Sequence, residues 1–263
     1  MKKTLIALAV VASAVTSGSA MAWTANGNGG SVEIGGTLTP VTKVTPWEVK
    51  VGSAVTNLNA QVQKGQKDVT VLVNKPISIL GIRNADPNGF TGKPGIMPII
   101  TYGNGNGNGI DVNGFNEGVT TLNLTVNDNQ GARIGSMSTK VSSAAVLSYN
   151  TQADRQLRSK NIYASGVGSF SGGLGKSESA IKKDHSTTML NSIDPAFLEH
   201  FTDGIEWSTA DNESFSDNAV TYFAAYGCGI ESGRSINITL DNNVTSNADI
   251  QWRASLPVSV VYQ

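Results

Sequence analysis

An informative strand pattern lies at Leu256-Pro257-Val258-Ser259-Val260-Val261-Tyr262, which ends one residue before the end of the chain. In a β-strand, every second side chain points to the same face. The stretch follows that period, since its apolar residues alternate as Leu256, Val258, Val260 and Tyr262. Globular domains usually end in residues that fray, whereas an apolar terminal strand presents an edge to other chains. We therefore expect this strand to be held by something outside its own chain.

A second alternating stretch lies near the other end, at residues 31–39 (Ser-Val-Glu-Ile-Gly-Gly-Thr-Leu-Thr). Val32, Ile34 and Leu38 share one parity, and Gly36 occupies the remaining position on that face. A Gly- and Asn-rich lead, residues 23–30, precedes it and would serve no purpose if the strand folded onto its own body. Insertion into a neighbouring molecule would instead give a head-to-tail contact that does not close, and hence a fibre.

The N-terminus predicts export. Two lysines and an apolar run at residues 5–15 are followed by Ala20-Met21-Ala22, which is typical of a secretory signal peptide over residues 1–22 with cleavage before Trp23. The chain contains a single cysteine, Cys228, so no internal disulfide can form. With no basic residue near it in sequence, Cys228 is expected to be a small buried core residue.

Composition restricts the fold to the all-β class. Only 15% of the 263 residues are charged and 29 are glycine, which disfavours a helical bundle, and the net charge of −1 offers no footprint for nucleic acid. β-signals bounded by Gly, Pro or Asn recur along the chain. They lie at residues 44–51, 69–73, 77–82, 96–102, 119–126, 134–141, 219–227, 235–240 and 250–262.

The predicted organisation is a signal peptide (1–22), an N-terminal extension (23–39) and one domain (40–263) with an insertion at about 150–218. Within the insertion the charges cluster and the strand alternation fades. Asp194 before Pro195 is typical of a helix N-cap, which predicts a short helix over Pro195–Thr202. Another helix is predicted over Ser179–Leu190.

Both ends of the chain and its first third resemble a known family. The stretches that carry the resemblance are residues 28–37 (NGGSVEIGGT), 47–52 (WEVKVG), 74–77 (NKPI) and 251–258 (QWRASLPV). They resemble the FaeG/ClpG-type fimbrial subunits of Gram-negative chaperone–usher systems, as does the signal peptide. The middle of the chain, about 103–218, departs from the family pattern.

The resemblance implies an incomplete immunoglobulin-like sandwich whose missing strand is supplied first by a periplasmic chaperone and then, through an outer-membrane usher, by the next subunit. The implied location is the extracellular fimbrium, with neighbouring subunits as partners and no cofactor, metal or nucleic acid. The implied donor-strand residues are Val32, Ile34, Gly36 and Leu38. The residues implied to line the groove for chaperone and neighbour are Leu256, Val258, Val260 and Tyr262.

A host-glycan-binding adhesin is the alternative function, because the insertion contains aromatic and acidic side chains of the kind that bind sugars. The candidates for stacking on a sugar are Phe197, Phe201 and Trp207. The candidates for its hydroxyl groups are Glu199, His200, Asp203 and Glu206. The competing interpretation is that the two phenylalanines pack the insertion onto the sandwich.

An exported hydrolase is not expected. The two histidines, His185 and His200, are too few for most zinc sites, and no Gly-x-Ser-x-Gly motif is present. Carboxylate pairs such as Glu199 and Glu206 are expected by chance among 20 acidic residues.

Overall fold

The computed structural model describes residues 25, 32, 34–39, 43–105 and 107–263. The chain divides into two units, residues 1–43 and 44–263. The predicted signal peptide, residues 1–22, lies outside the described residues. Residues 34–39 of the first unit have no helical or strand hydrogen bonding.

The described part of the second unit consists mainly of β-strands. The strands are β1 (Trp47–Val51), β2 (Asp68–Leu72), β3 (Ile77–Asn84), β4 (Phe90–Thr91), β5 (Pro98–Tyr102), β6 (Gly109–Ile110), β7 (Val119–Asn127), β8 (Arg133–Thr151), β9 (Arg158–Asn161), β10 (Val220–Ile230), β11 (Ser235–Leu240), β12 (Arg253–Ala254) and β13 (Val258–Tyr262). One α-helix, α1 (Ser186–Ile193), and a 3-10 helix, Pro195–Leu198, lie between β9 and β10. The predicted class, an all-β Ig-like sandwich with a partly helical insertion, is confirmed.

The long strand β8 lies in the middle of the 11-stranded sheet. Its first part pairs with β7 and β11, and its second part pairs with β10 and β9, always antiparallel. The resulting strand order is β1-β3-β10-β8-β11-β2. β8 continues ten residues beyond the predicted end at Val141 because residues 142–147 are buried on both faces, so that stretch shows no alternation of apolar and polar residues.

An aromatic cluster fills one end of the main core. Trp47 is surrounded by edge-on rings, with centroids 4.9 Å away at Phe90, 5.1 Å at Phe215 and 5.8 Å at Phe170. The Trp47 indole Nε1 donates a hydrogen bond of 2.6 Å to the carbonyl of Ile96, which satisfies its one polar atom. Phe170 and Phe215 belong to the predicted insertion, so this segment supplies part of the core.

Helix α1 and the 3-10 helix, which we call the helical pair, cover the opposite face of the sheet that contains β3 and β10. Phe197 of the 3-10 helix lies over Gly81 and Gly227, which face each other across the two strands. The helix predicted over Pro195–Thr202 is shorter, ending at Leu198, although Asp194 caps it by accepting a bond from the Ala196 N–H.

The helix predicted over Ser179–Leu190 begins later, at Ser186. The Ala180 carbonyl accepts a hydrogen bond of 3.0 Å from the Gly118 N–H, so it is used between segments rather than within a helix. His185, directly before the helix, has φ 56°, a left-handed conformation that a continuous helix excludes.

The strand predicted over 250–262 is divided into β12 and β13. Pro257, between them, lacks the N–H that a central ladder residue needs. β12 pairs with β7, whereas β13 pairs with β5 in a separate two-stranded sheet. No helix among the described residues is long and apolar enough to cross a membrane.

Candidate functional site

The terminal strand β13 has a second edge that no described strand covers. Met97 and Gln263 exchange both backbone hydrogen bonds, at 3.0 and 3.1 Å, and the Gly103 N–H donates to the Pro257 carbonyl at 2.8 Å. Backbone polar groups of an antiparallel strand alternate between its two edges. The N–H and C=O groups of Val258 and Val260 therefore point away from β5, toward the uncovered edge.

The side chains of the same strand form a half-covered apolar row. Leu256, Val258, Val260 and Tyr262 are each partly buried and pack against the main core, as the sequence period predicts. Val261, of opposite parity, is 51% exposed. Burial raises the pKa of the Tyr262 hydroxyl, and a hydrogen bond with Thr45 opposes that rise. We call these four residues the terminal row.

The N-terminal apolar residues are exposed. Val32, Ile34 and Leu38 are 86%, 94% and 96% exposed. No heavy atom lies within 4 Å of the point where a Cβ on Gly36 would stand. Full burial of each aliphatic side chain is worth about 1.5–3 kcal/mol, so this stretch would gain considerably from a partner that covers it.

Sequence reasoning missed one further segment, residues 57–63 (Asn-Leu-Asn-Ala-Gln-Val-Gln). Leu58 and Val62 pack partly buried against the same core as the terminal row. The alternation of apolar and amide residues is the strand pattern that could have identified this segment. The segment nevertheless forms no strand in the described part of the chain. It is a β-like sequence that pairs with no described strand.

The candidate receptor-binding residues of this chain lie in two places. Phe197, Glu199, His200 and Phe201 lie on the 3-10 helix and the turn that follows it, whereas Trp207 lies beside β9, opposite Ser159 in a parallel bridge. Phe197 is only 2% exposed and Phe201 packs against the same small cluster. Their rings hold the helical pair on the sheet, so little of the Phe197 side chain remains accessible. Trp207, in contrast, is 41% exposed.

The polar candidates near Phe197 are engaged within the chain. Glu199 accepts a hydrogen bond from Arg83, which lowers the pKa of its carboxyl group. His200 Nδ1 lies 2.7 Å from the Asn84 carbonyl oxygen. Arg83 also donates to Glu48 at 3.0 Å, and a groove of about 290 Å³ lies beside these groups, over Phe197.

Close to Trp207 in the sequence, the side chains of Asp203 and Glu206 are exposed. Arg158 Nε donates to Glu206 at 2.8 Å, and Asp203 accepts a hydrogen bond of 2.7 Å from Ser159. Both carboxylates are therefore accessible, although each also has a partner within the chain.

The described residues contain neither a reactive cysteine thiol nor a cluster of metal ligands. Burial raises the pKa of the Cys228 thiol to about 12, so it remains protonated and unreactive. Within the described ranges, no three His, Cys, Asp or Glu side chains are placed to hold a metal ion.

These features define a class of protein: an Ig-like sandwich whose terminal strand has an uncovered edge and a half-covered apolar row. Residues 1–263 match the K88 family described as fimbrial major and minor subunits, and the chain belongs to that family. It is similar to two Escherichia coli proteins, K88 fimbrial protein AC (32% identical) and K88 fimbrial protein AB (31%), over the full length of each chain. It is also 22% identical to the F41 fimbrial protein of Escherichia coli over both full lengths. The resemblance inferred from the sequence is confirmed.

Proposed function

We propose that this chain is an exported structural subunit of an adhesive surface fimbria, polymerised head-to-tail by donor-strand complementation. Residues Val32–Leu38 of one copy lie along the uncovered edge of β13 in the next copy. The observation that carries the proposal is that edge, with the outward backbone groups of Val258 and Val260 above the half-covered terminal row. The proposed function of the subunit is structural and requires no catalysis.

The donor strand supplies both kinds of contact that the edge lacks. Its backbone pairs with the N–H and C=O groups of β13, and its aliphatic side chains cover the terminal row. Gly36 lies where the groove is shallow, so a larger side chain there would clash. Residues 57–63, whose Leu58 and Val62 pack against the same core as the terminal row, become a strand when the donor is present.

A periplasmic chaperone holds the same edge before assembly, and an outer-membrane usher hands the subunit to the growing fibre. This order follows from physical chemistry, because a free apolar edge aggregates when no partner covers it. The fibre is therefore extracellular, and each subunit passes through the periplasm with its groove occupied.

Deletion of residues 23–38 tests the donor strand. Cells that produce the truncated chain should form no heat-resistant polymers, since the joint between copies is lost. Polymers of unchanged heat resistance from the truncated chain would disprove the proposal. Ile34→Asp should weaken the polymers in the same way, whereas Thr37→Asp, on the opposite face of the strand, is the matched control and should not.

The acceptor edge can be tested by a second matched pair. Val260→Asp places a charge in the terminal row and should abolish polymers, whereas Val261→Asp lies on the exposed face of the same strand and should leave them intact. Circular dichroism of both variants bound to the chaperone separates loss of polymerisation from loss of folding. Equal effects of the two substitutions would contradict the assigned face.

Host-glycan binding is a second candidate function, and the exposed Trp207 favours it. A glycan array probed with the assembled fimbria should show binding that Trp207→Ala removes and that Ile205→Ala, a neighbouring exposed apolar residue, retains. If the unmodified fimbria binds no glycan on the array, this function is excluded, and the proposed structural function is unaffected.

A further inference from the structure

Strand β1 is a second edge strand with outward-facing backbone groups. Its described neighbour is β3 alone. The Ala85 N–H donates to the Pro46 carbonyl at 2.7 Å, and the Gly52 N–H donates to the Ile79 carbonyl at 2.9 Å. The even-numbered residues of β1 therefore face β3, and the N–H and C=O groups of Val49 and Val51 point outward.

The side chains of this edge are unusually accessible for a strand next to the core. Val49 is 42% exposed and Val51 is 60% exposed, although both lie opposite buried residues of β3. The side chains of Glu48 and Lys50, on the other face, are 49% and 56% exposed. The edge thus combines exposed aliphatic groups with one exposed charge of each sign.

The sequence of β1, Trp-Glu-Val-Lys-Val, complements itself when two copies run antiparallel. If Val49 lies opposite Val49 of the second copy, Glu48 comes opposite Lys50, and Lys50 opposite Glu48. Opposite charges placed directly across two strands stabilise the pair, whereas like charges destabilise it. A shift of the register by two residues would bring Lys50 opposite the Lys50 side chain of the second copy or Glu48 opposite the Glu48 side chain.

We propose that β1 pairs with β1 of a second copy of this chain, antiparallel and centred on Val49, to form a two-fold symmetric contact. The contact joins copies side by side, and it does not depend on the donor strand, because it uses neither β13 nor the N-terminal extension.

The ion pairs within each chain are compatible with this contact. Lys50 Nζ lies 2.7 Å from Asp194 Oδ2, and Glu48 Oε2 lies 3.0 Å from Arg83 Nε. An ammonium group has three donors and a carboxylate accepts several bonds, so each can add a partner across the interface. The intrachain pairs hold Glu48 and Lys50 at the edge, ready for the second copy.

One strand pair buries much less than the roughly 1,200 Å² of a stable protein interface, so a single contact is weak. Copies arranged in a row would engage many such contacts at once, and their combined strength exceeds that of one. The contact therefore acts in side-by-side bundling of fibres, and this setting rests on the proposed polymerisation, whereas the strand pairing itself does not.

Disulfide trapping with Val49→Cys in the full-length chain tests the contact. Residues that exchange backbone bonds in an antiparallel pair have Cα atoms about 5.5 Å apart, inside the range of roughly 4.4–6.8 Å that a disulfide spans. Mild oxidation should therefore produce a covalent dimer on a non-reducing gel. Cys228 is fully buried and should not compete.

Val51→Cys is the matched control. In the proposed register Val51 lies opposite Trp47, and the two copies of residue 51 are roughly 13 Å apart, too far for a disulfide. Dimer formation by Val49→Cys no greater than by Val51→Cys would overturn the proposal.

Charge reversal in the Val49→Cys background tests the register. Glu48→Lys and Lys50→Glu each place like charges across the interface and should lower the dimer yield roughly fivefold or more. The double variant restores opposite charges across the interface and should recover part of the yield, because the intrachain pairs with Arg83 and Asp194 remain broken. A yield from the double variant no higher than that from either single variant, with circular dichroism showing a folded protein, would rule out this pairing.

Discussion

Single residues determine how closely the helical pair lies on the sheet. A Cβ on Gly227 would stand 2.3 Å from Phe197 Cδ2, and one on Gly81 would stand 2.4 Å from Phe197 Cδ1. The two glycines lie opposite each other on neighbouring strands, so together they form a flat site for one aromatic ring. The sequence shows these glycines but gives no sign that their shared function is to accept a side chain 116 residues beyond Gly81.

We predict that Gly227→Ala destabilises the protein by about 1–3 kcal/mol, because the added methyl group overpacks the site. Chemical denaturation of the subunit should reveal the loss. Phe197→Leu combined with Gly227→Ala should cost less than the sum of the two single changes, since the smaller side chain makes room. Additive effects in this cycle would show that the two residues are not in contact.

At the scale of elements, Asp194 links the helical pair to β1. Its side chain accepts from the Ala196 N–H at 3.1 Å and pairs with Lys50 at 2.7 Å. Burial acts to raise the pKa of the Asp194 carboxyl group, but the bonds from Lys50 and Ala196 outweigh burial and lower the pKa. The folded state therefore favours the carboxylate more than the unfolded state does.

We expect Asp194→Asn to lower the free energy of unfolding at pH 7 by about 0.5–1 kcal/mol, a modest value because Lys50 is half exposed to solvent. A lowered pKa stabilises the fold above the unfolded value, about pH 3.9, and this stabilisation disappears as pH falls through the folded value. The difference between wild type and variant should therefore shrink as the pH falls below the unfolded value. Urea titrations at pH 7 and pH 3 measure it. Glu178→Gln, in an exposed pair with Lys183, is the control and should change little at either pH.

Element types were largely predictable, but several of their limits were not. The span Ser235–Leu240 is that of the predicted strand, because a polar outer face and an apolar inner face give a clear period of two. β8 was underestimated because its second part is covered by the helical pair on one side and the main core on the other. A strand buried on both faces has no alternation for a sequence to display.

At the scale of the whole molecule, the central strand β10 contains the one cysteine of the chain. Cys228 is 0% exposed and lies in the main core, and burial raises the pKa of its thiol to about 12. Access to this thiol therefore requires the sandwich to open.

Labelling of Cys228 by a thiol reagent at pH 8 should be negligible in the folded chain and should rise with denaturant together with the loss of β-structure. Fluorescence of the reagent and circular dichroism follow the two processes. Val49→Cys provides the exposed control and should label at once. Rapid labelling of Cys228 under native conditions would indicate that the core opens locally.

The shared face of the terminal row was predicted, whereas its role as the groove for chaperone and neighbour stays a prediction. The terminal row was found because its period appears directly in the sequence, and the structure places all four residues against the core. Residues 57–63 have an equally clear period of two, but no strand was predicted there because the surrounding stretch is polar. For the receptor candidates, the burial of Phe197 could not be predicted, because it depends on two glycines distant in sequence.

The all-β class, the alternating apolar pattern at both ends, the capping residue Asp194 and the family resemblance could be predicted from the sequence, since each depends on short-range spacing of residues. The uncovered edge of β13, the accessibility of Val49 and Val51 and the burial of particular aromatic side chains could not be predicted in this way. Those properties depend on long-range strand pairing, because hydrogen bonds between distant segments determine where each backbone group and side chain points.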